Sequence, residues 1–183
     1  KIGSVNYDIG HVVTRAGNDG NAGCIGCVCR SGQKGSAYTA YSNPKLNDYF
    51  VIDYWTHEMG HQFGAYHTYT FDNEGSGANV EPGSGSTIMG YAGITGIATD
   101  VQQHSDDYFH IVSVAQISNY IKTGFGNTCD AETITGNKAP VVAKPLADYT
   151  IPRSTPFAIS ADGTFTDADA GDVLTSTLEQ THQ

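Results

Sequence analysis

The apolar residues of this chain gather into short groups between glycine-rich and polar runs, and two segments carry a helical period. The first holds Phe50, Trp55, Met59 and Phe63, read as core packing, and predicts a helix that starts after Asn47 as N-cap, places Asp48 in its first turn and runs to about Phe63. The second runs from Asp106 to Ile121 behind Ser105 as its cap, with Phe109, Val112, Gln116 or Ile117, and Ile121 at helical spacing. Two strands are predicted, at residues 9–14 (IGHVVT) from β-branched content and at residues 35–41 (GSAYTAY) from alternation. Between them, AGCIGCVCRSG is a short apolar stretch punctuated by glycine. From Phe71 to Gly85 the chain is polar and glycine-rich, a loop of the kind that walls a cleft.

Near Asn137 the composition changes. NKAPVVAKPLADYTIPRSTP holds four of the six prolines and reads as an extended linker, and SADGTFTDADAGDVLT then carries strand-like pieces around Asp167, Asp169 and Asp172. Residues 1–136 are therefore read as one domain, and 137–183 as a linker into the opening of a second module. A length of 183 residues with 39% apolar content can bury a packed core. No run reaches the ~18 apolar residues of a membrane span. Nine Lys and Arg against 19 Asp and Glu leave a net charge of −10, which argues against nucleic acid or an anionic membrane as partner. It fits a protein that is soluble outside the cell and leans toward basic or neutral peptide substrates.

The densest chemistry lies in HEMGHQFGAYH, residues 57–67. Positions four apart share a helix face, so His57 and His61 can offer ring nitrogens to one ion, and Glu58 can reach a metal-bound water without ligating. Gly64 permits the sharp turn that brings His67 back to the same ion. Three neutral imidazoles leave the fourth position of a tetrahedral zinc open, the arrangement of a catalytic site. A lone histidine is more often a surface or core residue; the added glycine and third histidine set this run apart. The expected chemistry is peptide hydrolysis by a polarised water, with Glu58 as general base and then proton carrier to the leaving amine. His104 and His110, beside or on the second helix, are read as structural. The segment STIMGYAG, Ser86 to Gly93, puts Met89 in a tight glycine-flanked turn.

HEMGHQFGAYHT followed by STIMGYAG resembles the metzincin clan of zinc peptidases, and within it the bacterial, secreted reprolysin-like metallopeptidases. NYDIGHVV, VCRSGQKGSAYT and SDDYFH extend the likeness over roughly residues 5 to 130. Thr68 departs from it, since venom and animal reprolysins usually carry Asp after the third histidine, and AYHTYT resembles the pappalysin branch instead. The resemblance implies an α+β catalytic domain, a twisted mixed sheet with an active-site helix and a C-terminal helix. It also implies a secreted endopeptidase with Zn²⁺ on His57, His61 and His67, acting on extended peptide or protein substrates.

Metzincin domains place a strand, a long helix and further strands well upstream, whereas 56 residues precede His57 here. The implied domain is N-terminally incomplete and part of a longer precursor: either it is truncated, or its N-terminal half or pro-segment is cleaved off and counts among its partners. Gly23 to Val28 corresponds to the edge strand above the cleft, where substrate adds as an antiparallel strand. Met89 becomes a hydrophobic base beneath the metal, and Tyr91 either a donor to the transition state or a packing residue of the Met89 turn.

Four cysteines allow three disulfide connectivities or a second zinc site, and an extracellular setting favours disulfides. Venom-type reprolysins tie the position resembling Cys29 to the domain's C-terminal end, which implies Cys29 with Cys129 and leaves Cys24 with Cys27. The tail loosely resembles cadherin-like and other β-sandwich repeats, in which acidic loops such as Asp167, Asp169 and Asp172 bind Ca²⁺; a solvated turn is the other reading. Two alternatives stand beside the secreted endopeptidase. One is a pappalysin-like endopeptidase with the same chemistry. The other is a zinc-containing cell-surface adhesion module without catalysis, against which Glu58 argues.

Overall fold

The computed structural model describes residues 2–42, 48–145 and 147–181. The chain forms two compact units that meet in sequence between Ala131 and Glu132, the second being Glu132–Glu179. In the first unit, strands β1 (His11–Thr14), β2 (Asn18–Asn21) and β3 (Ala37–Tyr41) form one sheet in the order β1-β3-β2. β1 runs parallel to β3, with His11 opposite Ala37, and β2 runs antiparallel to it, with Asn21 opposite Tyr38. Central β3 is the most buried strand, with Ala37, Thr39 and Ala40 inside. These small side chains leave room for the helix that carries the site.

That helix is continuous with a π-type segment, Phe50–Thr56, and becomes regular in α1, His57–Gln62. Phe50 is fully buried, as the apolar period predicts, whereas Trp55, Met59 and Phe63 are half-buried. The expected cap, Asn47, lies outside the described residues.

Gln62 joins α1 to the sheet. Its buried amide donates to the Gly10 carbonyl at 3.1 Å and meets His11 Nδ1 at 2.9 Å, while His11 Nε2 reaches Thr39 Oγ1 at 2.8 Å. The last carbonyls of a helix lack intrahelical partners. Here Gly26 N–H donates to His61 O and Cys27 N–H to Gln62 O, both at 2.8 Å, so the cysteine loop closes the end of α1.

Two expectations are corrected. Gly23–Val28 is not a strand: Gly23 and Gly26 have φ of +74° and +71°, and a Cys24–Cys27 disulfide closes the loop, so the backbone cannot extend. The edge strand is β2. The second helix, α2, is Ile111–Lys122, five residues shorter at its start than expected. Asp106 N–H instead donates to Ser86 O at 2.7 Å, and Tyr108 O accepts from Ile88 N–H at 3.1 Å, so these backbone groups pair with the Met89 segment. His110 caps α2 by accepting Val112 N–H on Nδ1 at 3.2 Å. Ser105 is not the cap; its N–H donates to Asp53 at 3.0 Å. Phe109 and Ile117 pack on a buried cluster of Ala65, Ile88 and Met89. A second disulfide joins Cys29 to Cys129 just past α2.

In the second unit, β4 (Val141–Val142) pairs antiparallel with β5 (Phe165–Thr166), and Thr164 alone is buried among the described residues. Two strands of two residues do not enclose a core. The described residues therefore hold a single ladder where the opening of a β-sandwich is expected. No helix of the described residues is long and apolar enough to cross a membrane.

Candidate metal centre

His57 and His61 project from one face of α1 and are 4% and 7% exposed. Each Nδ1–H donates to a carbonyl at 2.7 Å, His57 to Ile88 and His61 to Ala65, which leaves Nε2 as the accepting nitrogen of each ring. The chain then turns at Gly64, whose φ of +98° lies in the region that favours glycine. Space is tight there as well, since a Cβ would sit 3.1 Å from Tyr120 Cβ. The turn returns His67 to the helix face, with its Nε2 2.9 Å from His61 Nε2. One nitrogen from each of the three imidazoles lies within 4.8 Å of the others. These are half-buried or buried neutral donors whose other nitrogens are engaged, and they fit one small borderline cation such as Zn²⁺.

Electrostatics agree with that donor set. Burial drives the His57 imidazole well below the ordinary range, and the neighbouring His61 and His67 add to it. Burial pushes His61 down to about 4. His67 is lowered by burial against the opposing pull of Glu74. Neutral imidazole is the form that ligates.

Glu58 stands beside this face, almost buried. Gly20 of β2 packs against it so closely that any Cβ there would overlap the carboxylate. Burial pushes the Glu58 carboxyl up to about 7, while the Ala22 N–H, donating to it, holds it down. Edge strand and acid are thus in direct contact. A cavity of 760 Å³ opens over them, lined by Gly20, Ala22, Glu58, His61, His67 and Tyr91 among others. A second, of 330 Å³, also reaches Glu58, with Asp19, Tyr54, His57 and Ile94 in its wall.

Met89 is fully buried beneath the histidines, and Thr68 N–H donates to its carbonyl at 3.1 Å. Gly60 on the underside of α1 makes room for it, since a Cβ there would meet Met89 Sδ at 2.5 Å. Tyr91 packs edge-on against His67 and tilted against His57, its ring centroid 4.6 Å and 5.6 Å from theirs. Burial pushes its phenol up to about 12, so the hydroxyl keeps its proton.

The structure also brings in residues with no readable signal in the sequence. Glu81, buried in the loop expected to wall the cleft, accepts from the Thr68 hydroxyl. It also accepts from Thr87 Oγ1 at 2.5 Å and from the N–H groups of Ser86 and Thr87 at 2.9 and 3.0 Å. It ties the segment after His67 to the Met89 turn, so Thr68 is served by a carboxylate 13 residues on. Glu74 and Tyr69 bracket His67. A carboxylate in a polar, glycine-rich run reads as solvated, and only tertiary contact distinguishes these two.

His104, read as structural, pairs with Asp53 at 2.8 Å and stacks on Tyr49. Asp167, Asp169 and Asp172 also come within 4.8 Å of one another. Asp169 N–H donates to Asp167 at 2.8 Å and Asp169 accepts Lys138 N–H at 2.6 Å.

The family model described as "Metallo-peptidase family M12B Reprolysin-like" matches residues 1–121. No curated protein and no solved structure matches the chain.

Proposed function

The chain belongs to the reprolysin-like metallo-peptidase family M12B, and from that premise we propose that it is an extracellular zinc endopeptidase whose ion is held by His57, His61 and His67. The observation that carries this reading is the convergence of three neutral imidazoles beside a buried carboxylate, next to the outer strand β2 of the sheet. Zinc bound there supplies Lewis acidity toward water and the scissile carbonyl.

The chain's own residues do the rest. An extended peptide lies along β2, which has no further strand beside it among the described residues, and passes over Glu58. Glu58, poised near neutrality by burial, takes the proton of the attacking water and hands it to the departing amine. The Tyr91 phenol, protonated across the physiological range, donates to the developing oxyanion. Met89 keeps the floor dry and apolar.

Residues 1–136 are assigned as the catalytic domain and 137–183 as a linker with a separate segment. Two disulfides with no free cysteine among the described residues support an oxidising, extracellular compartment.

The test is cleavage of an unstructured protein substrate by the purified chain, with zinc content measured in parallel. Glu58→Ala is expected to keep its zinc and lose cleavage by roughly 10²–10⁴-fold. Undiminished turnover in that variant, or cleavage that survives complete removal of zinc, overturns the mechanism.

A further inference from the structure

His57 and His61 rest on backbone carbonyls, whereas His67 has a carboxylate behind it. Glu74 Oε2 and Oε1 lie 2.9 and 3.0 Å from His67 Nδ1. The Tyr69 hydroxyl donates to the same Oε1 at 2.5 Å and itself lies 3.2 Å from that Nδ1. Tyr69 is buried, and Asn79 Nδ2 donates to its carbonyl at 2.7 Å, so it is anchored independently of Glu74. The exposed loop is folded back by local bonds, Asp72 accepting Asn73 N–H at 2.9 Å and Asn73 accepting Gly75 N–H at 2.8 Å.

We propose that Glu74, held by Tyr69, is the positioning residue of His67, fixing its ring so that Nε2 faces the ion. The proposal rests on the zinc reading above. His67 is the ligand outside α1 and the one more open to water, with a 15% exposed side chain. A neutral carbonyl competes poorly with water there. A charge-assisted bond is about twice as strong as a neutral one, holds the proton on Nδ1 and makes the opposite nitrogen a better donor. Glu74 also lines the larger cavity, so its loop is part of the site rather than a distant wall.

The experiment measures zinc affinity by competition with a chromophoric chelator and the visible spectrum of the cobalt-substituted protein. Wild type, Glu74→Ala, Glu74→Gln, Tyr69→Phe and His57→Ala are compared. Glu74→Ala is expected to weaken zinc roughly 10–100-fold and to shift the cobalt band, with the apo thermal midpoint unchanged because the side chain is at the surface. Glu74→Gln keeps an acceptor and loses less, and Tyr69→Phe falls between it and wild type. Zinc affinity within twofold of wild type and an unchanged cobalt spectrum in Glu74→Ala overturn the proposal, while His57→Ala still abolishing tight binding leaves the metal site standing. Should His57→Ala bind zinc as wild type does, the three-histidine reading itself fails. If Glu74→Ala lowers the apo midpoint, Glu74→Gln decides by the same two readouts.

Discussion

The two halves of the histidine cluster obtain the same chemistry by different means. On the helix, His57 and His61 need nothing but the period of α1 and two backbone carbonyls, and both are buried. On the loop, His67 depends on a left-handed Gly64, a carboxylate seven residues on and a tyrosine behind it. Regular structure supplies rigidity through its own hydrogen bonds; an irregular segment must import rigidity from side chains. The helix half is therefore expected to be stiff, dry and intolerant of added volume. The loop half is tunable, because its support is polar and partly solvated.

The sharpest break of this comparison is ligand deletion. His61→Ala is expected to lose stoichiometric zinc and all measurable cleavage, whereas His67→Ala retains a weaker site on the helix pair. Metal analysis after dialysis separates them, and equal loss from both variants would mean that the two halves hold the ion alike.

Added volume comes next. Gly60→Ala drives a methyl into Met89 and Phe109, 2.5 and 2.9 Å away, and is expected to cost about 1–3 kcal/mol despite the better helix former. Gly77→Ala on the loop meets nothing within 4 Å and is expected to cost about 1 kcal/mol for its φ of +74°. Urea unfolding measures both, and a stabilised Gly60→Ala would show that the floor under α1 yields.

Acidification probes the same contrast in the apo protein. His61 falls to about 4 when folded but titrates near 6.5 when unfolded, so below 6.5 the unfolded chain binds more protons and stability drops as pH falls toward 4. Glu58 acts in the opposite sense. Its carboxyl rises to about 7, so the folded state binds more protons between about 4.5 and 7 and loses stability as pH rises through that window. His57 and His67 are lowered in the same sense as His61, so wild type is expected to lose stability as pH falls from 6.5 to 4.5 with Glu58 only partly offsetting it, and Glu58→Gln to lose it more steeply. Thermal midpoints of the two apo proteins check this; parallel curves would mean that Glu58 is not desolvated.

The smallest effect belongs to Tyr91, which touches both halves. Tyr91→Phe removes one donor and keeps the ring, so kcat is expected to fall roughly fivefold with KM unchanged. No change in kcat would make it a packing residue.

Local periodicity and turn chemistry made much of this legible. The spacing of His57, Glu58 and His61, the need for glycine at position 64, the strands of β1 and β3 and the buried Phe50 all follow from short-range rules. What misled was equally physical. The residues before α2 have helical spacing, yet their backbone groups are spent on the Met89 segment. The family resemblance implies an edge strand at the cysteine loop, yet two left-handed glycines and a disulfide bend it. The edge strand itself, NDGN, has the composition of a turn and becomes β2 because Tyr38 to Tyr41 of β3 offers it a partner.

By itself, then, the sequence determined which residues could bind a metal and move a proton, because those capacities reside in side-chain chemistry and in spacing along one helix. Only the tertiary structure decided what surrounds them. It placed Gly20 against Glu58, Glu81 between Thr68 and the Met89 turn, and Glu74 behind His67. Such contacts join segments whose separation along the chain has no period, so they exist only once burial has packed those segments together.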